Sequence, residues 1–163
     1  MSKLNERLTL IANLSVVAGV IFLATEMRQN TRAIRAQTRD AVTAKQMEYL
    51  GWLATSPELA AALGQSETTK YDSLTSEARL HLIGYTIGQL REGENSFYQY
   101  ENGLFGEEEL GTRSWAWRYN LIDNPTSIAY RRVWETYREG FTPRFRAEID
   151  RIVADAEGGA APR

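Results

Sequence analysis

Eighteen consecutive residues, Leu8–Thr25, carry no charge, and arginines follow at positions 28, 32, 35 and 39. An uncharged run of this length is a candidate membrane helix, which needs about 20 predominantly apolar residues. A helix turns ~100° per residue, so the spacings after the run put Arg28, Arg32, Arg35 and Arg39 on one narrow face. A basic stripe directly behind an apolar span suits the anionic headgroups of a cytoplasmic membrane surface. The feature says where such a chain sits and leaves its partner open.

Two other readings of the run are weaker. A cleaved signal peptide has a basic leader, here MSKLNER, but the exit Phe22-Leu23-Ala24-Thr25-Glu26 offers no small-x-small cleavage site, so the leader is expected to stay attached. A buried core helix rarely lacks charge on every face. Thr9, Asn13, Ser15 and Thr25 shorten the apolar stretch, while Lys3, Arg7 and Arg28 can snorkel outward and lengthen it. Lys3 and Arg7 precede the run, whereas Arg28, Arg32, Arg35, Arg39 and Lys45 follow it. That excess predicts an N-terminus outside and the remainder of the chain in the cytoplasm.

The 163 residues fit one domain plus an anchor. The expected divisions are a transmembrane anchor over 1–27, a basic juxtamembrane stalk over 28–55, a helical bundle over 56–155 and a disordered tail over 156–163. A formal net charge of −2 gives no global field toward nucleic acid. The absence of cysteine excludes disulfides, thiolate metal sites and cysteine nucleophiles. The single histidine, His81, restricts metal and acid–base chemistry further.

An all-α fold is expected throughout, with no period-two strand and no Asn-Gly hairpin signal. No glycine or proline interrupts Val20–Leu50, so the first helix is predicted to run from the membrane to about Trp52, roughly 65 Å. Ser56-Pro57-Glu58 opens a short helix, with Gly64 expected to end it. Thr75 caps the next, whose Leu80, Ile83, Ile87, Leu90 and Phe97 form the predicted buried stripe, with Gly103 placed to end it. Gly84 and Gly88, four apart, suit a close helix crossing. Glu107–Glu109 favour a helix start, with Leu110, Trp117 and Leu121 on one face. Asn124-Pro125 and Thr142-Pro143 start two further helices.

RQNT after the hydrophobic run, PELA opening a short helix, FYQYENGLFGEEE in the middle and FTPRFRAEID near the end occur in that order. Over nearly its whole length the chain resembles a family of uncharacterised bacterial proteins with one N-terminal membrane segment and a helical body. The resemblance implies membrane association and a helical domain, and it carries over no catalytic residue; with the charge bias, the expected location is the inner membrane.

Candidate chemistry is sparse. A di-iron bundle wants two Glu-x-x-His pairs, and Glu77–His81 is spaced at four, so no metal or other cofactor is expected and the chain reads as non-enzymatic. Glu94 continues the apolar stripe and is the candidate buried carboxylate, with Arg113 or Arg118 as its partner. Trp115 and Trp117 lie ~160° apart on a helix, so only one can face a given core, and Trp117 is the expected choice. Trp115, Trp134 and Tyr137 are the candidate aromatics for a partner or pocket. The leading expectation is an accessory or interaction subunit of a membrane assembly, or a homo-oligomer. The alternative is a membrane-tethered small-molecule sensor with an aromatic pocket. Expected contacts are the bilayer, its anionic headgroups and a protein partner, without nucleic acid.

Overall fold

The computed structural model describes residues 2–158, and it is all-α: α1 (Ser2–Thr55), α2 (Pro57–Thr68), α3 (Ser76–Glu101), α4 (Glu107–Arg118), α5 (Ser127–Tyr137) and α6 (Pro143–Glu157). The chain divides into two compact units, 1–40 and 41–163. The division falls inside α1, so residues 41–55, expected in a stalk, belong to the helical body instead. Val42 and Tyr49 explain this, because both find burial or a partner there: Val42 is buried, and the Tyr49 hydroxyl donates to the Gly88 carbonyl at 2.7 Å.

In the first unit the helix is solvent-facing along its apolar run, and its most apolar 18-residue window has a mean hydropathy of 2.2 with nothing buried. It is long and apolar enough to cross a membrane. The polar residues within it are locally satisfied. The hydroxyls of Thr9, Ser15 and Thr25 each donate to the carbonyl four residues back, at 2.9 Å. Such internal bonds let a hydroxyl sit in hydrocarbon without water.

The second unit is built by the stop and start signals of the sequence. Ser56 caps α2, its Oγ accepting from the Leu59 amide at 3.1 Å, and Thr75 caps α3 in the same way through Ala78 at 3.1 Å. Both caps satisfy an amide that the helix leaves unpaired. Gly103 takes φ +71 behind α3, the left-handed conformation that glycine adopts without strain. Gly64 does not end α2, which continues to Thr68, since one glycine costs a helix only about 1 kcal/mol. α6 runs through Glu157, past the expected frayed start at Ala156, while residues 159–163 lie outside the described residues.

The main core gathers Leu90, Trp117, Leu121, Tyr130, Trp134, Phe141, Phe145, Ile149 and Ile152, with Phe97 and Leu110 packed against it. Phe145 is its centre, with edge-on contacts to Trp117 at 5.6 Å and Trp134 at 6.2 Å between centroids. A second cluster of Ala62, Leu74, Ala78, Leu82 and Ala129 joins α2, α3 and α5.

The buried face of α3 differs from the expected stripe. It carries Ala78, Leu82, Thr86, Leu90, Gly93 and Ser96, about one residue position (~100°) around the helix from the stripe, and Leu80 is 68% exposed. Leu90 belongs to both faces and Phe97 packs against the core, so the expected stripe is offset rather than opposite; the close crossings select small side chains such as Gly93 at its centre. Gly93 is the tightest of these contacts. Gly88 packs under the Tyr49 ring, as a close crossing requires, whereas Gly84 faces open space.

Candidate functional site

Because α1 is helical without interruption, Arg28, Arg32, Arg35 and Arg39 do fall along one face, and all four are exposed. Their stripe begins three residues beyond the uncharged run. In the first unit, therefore, an unburied apolar span and a line of cations stand in immediate succession.

The body separates the tryptophans by role. Trp117 is buried, as expected, and Trp115 is 60% exposed, its ring stacked on Tyr119 at 5.4 Å and 13°. Trp134 was a candidate for a partner or pocket, but it is core, only 3% exposed and packed on Phe141 and Phe145. Its position on α5 puts it on the same face as Tyr130 and Val133, which are also buried. Tyr137, 39% exposed, lines a shallow groove with Tyr71, Arg79, Leu80, Ile83 and Arg132. The three candidate aromatics therefore do not meet in one pocket: Trp134 builds the core, while Trp115 and Tyr137 face solvent.

The buried ion pair also shifts position. Glu94 does not meet Arg113 or Arg118; it accepts from the Thr142 amide and from Arg91, each at 2.7 Å, and so anchors the start of α6. Burial alone would raise its pKa, yet the Thr142 amide and the Arg91 guanidinium together hold it below the usual carboxylate range. The carboxylate paired with Arg113 is Glu92, at 3.2 Å, with both side chains 10% exposed. Ser96, fully buried, donates to Glu92 at 2.7 Å and accepts from Arg113 at 3.2 Å. Glu109 takes a second Arg113 nitrogen at 3.3 Å, and the guanidinium lies over the Phe105 ring. Burial pushes the Glu92 carboxyl up, and Ser96, Arg113 and Gln46 pull against that rise.

Next to this pair the body contains two adjoining cavities. The larger, about 360 Å³, reaches from Leu53, Leu63 and Leu82 to Tyr85, Gln89 and Tyr130. The smaller, about 260 Å³, is lined by Tyr49, Glu92, Arg113 and Trp117, and both cavities are partly open to solvent. Tyr85, Gln89, Asn120 and Tyr130 line both. Burial keeps the Tyr130 phenol neutral far above the ordinary tyrosine range. Two buried polar atoms of residues that line these cavities, Gln89 Oε1 and Arg113 Nε, have no hydrogen-bond partner among the described residues. Sequence reading passed over this site, although Tyr85, Gln89 and Glu92 at spacings of four and three lie on one side of α3 and signal a polar face.

Among the described residues there is no cluster of three or more histidine, aspartate or glutamate side chains arranged to hold a metal ion. No protein-family model, no curated protein and no solved structure matches the chain.

Proposed function

We propose that this chain is a single-pass protein of the bacterial cytoplasmic membrane whose helical body, on the cytoplasmic side, serves as an accessory or interaction subunit without catalysis of its own. The observation that carries the reading is the apolar window of α1, at a mean hydropathy of 2.2 and with none of it buried by the rest of the protein. In water such a surface is a large penalty, and a bilayer removes it. The cation count on the two sides of the span favours the orientation with the body inside. The resemblance to bacterial proteins with one anchor and a helical body points the same way.

On the body, the stacked Trp115–Tyr119 pair is the aromatic surface that suits a protein contact, since exposed tryptophan and tyrosine act as anchors in partner pockets. Affinity capture of the tagged full chain from detergent-solubilised membranes tests this. A complex of fixed stoichiometry is expected with the native chain and is lost with Trp115→Ala, while the melting temperature falls by no more than a few degrees. Recovery of the same monomer from both would contradict an interaction role.

A further inference from the structure

We propose that the paired cavities of the helical body bind a small uncharged molecule that carries a carboxamide or lactam on an apolar frame. The site lies wholly within residues 41–163 and is independent of membrane anchoring.

Three observations determine the class. First, the walls are of two kinds: Leu53, Leu63 and Leu82 are apolar, while Tyr85, Gln89 and Asn120 present polar groups, as in pockets that seat an apolar body and orient it with a few polar contacts. Second, the unpartnered atoms are one acceptor, Gln89 Oε1, and one donor, Arg113 Nε. A buried unmade hydrogen bond is destabilising, so a ligand that completes these groups gains affinity from a cost the empty fold already bears. A carboxamide has an adjacent donor and acceptor. It can pair with the Gln89 carboxamide through two parallel bonds in either orientation of that side chain. Third, the buried charges at the smaller cavity are already matched, since Glu92 is engaged by Arg113 and Ser96, while Glu67, the charged residue lining the larger cavity, is exposed to solvent. An anion would meet Glu92, and a cation would meet Arg113, so a neutral ligand is favoured.

Benzamide, benzoate and benzylamine share one ring and differ in the group the cavity would read. Calorimetric titration of the full chain in detergent with each is expected to show saturable binding of benzamide, with benzoate and benzylamine weaker by tenfold or more. Gln89→Leu removes the pairing group and should weaken benzamide about tenfold, the size of one hydrogen bond. Gly64 lines the larger cavity and has nothing within 4 Å of an added Cβ. Gly64→Phe therefore adds a ring at the edge of the larger cavity from an exposed helix position that tolerates the change, and it should weaken benzamide binding without lowering the melting temperature. No saturable binding of benzamide by the native chain would overturn the proposal. So would equal binding of all three probes, or benzamide affinity unchanged in both variants.

Discussion

Gly93 on α3 lies directly against the Trp117 indole: a Cβ at 93 would stand 2.9 Å from Nε1 and 3.2 Å from Cε2, with Phe145 Cζ also at 3.2 Å. The centre of the core is thus set by the absence of a side chain. Alanine is the better helix former by ~1 kcal/mol, yet here it must push two aromatic rings apart. Overpacking of this kind costs about 1–3 kcal/mol, so Gly93→Ala should lower stability in chemical denaturation followed by circular dichroism.

The two tryptophans of α4 should respond in opposite ways. Trp117→Ala empties the core beneath Phe145 and should cost about 3–5 kcal/mol. Trp115→Ala loses only an exposed stack on Tyr119, worth about 1 kcal/mol or less. Equal destabilisation by both would show that α4 is buried on both sides.

Glu92 and Glu94 should give stability profiles of opposite sign. Glu92 binds its proton more tightly when folded, so its contribution is fully present below the unfolded carboxyl pKa of ~4.3 and is lost as pH rises through the folded value. Glu94 binds its proton less tightly, so its contribution is present above ~4.3 and is lost as pH falls through its folded value. Relative to the native chain, Glu92→Gln should therefore fare better as pH rises, and Glu94→Gln should fare worse. Melting temperatures of both variants across the acid range check the two slopes.

Replacing Arg28, Arg32, Arg35 and Arg39 with glutamine removes four cations, each worth about 1 kcal/mol near an anionic surface. It also removes the cytoplasmic excess that orients the span. Topology reporters at the two ends should show mixed orientation. A reporter pattern identical to that of the native chain would assign the stripe to some other contact.

The helix boundaries were legible because their signals are local: Ser56, Thr75, Gly103 and Thr142-Pro143 act on the backbone beside them. The apolar span and its arginine stripe were legible for the same reason. What sequence periodicity missed depends on neighbours distant in the chain. The face of α3 is offset from the expected stripe, which shares Leu90 and Phe97 with the core, because Leu80 and Ile87 outweigh Ala78, Thr86 and Gly93 on any hydrophobic scale, while close crossing rewards the small residues. Glu94 was misassigned because its partner, the Thr142 amide, lies 48 residues away, and nothing in the sequence separates its surroundings from those of Glu92. The cavity was invisible because it exists only where α1, α3, α4 and α5 meet around Gln89 and Tyr130.

Alkaline carbonate extraction of cells producing the full chain tests the anchor most directly. An apolar helix that spans the bilayer resists carbonate, which strips proteins held only at the surface. The chain should remain in the membrane pellet after carbonate and enter solution only with detergent. Release of folded protein by carbonate alone would contradict membrane insertion of residues 8–25.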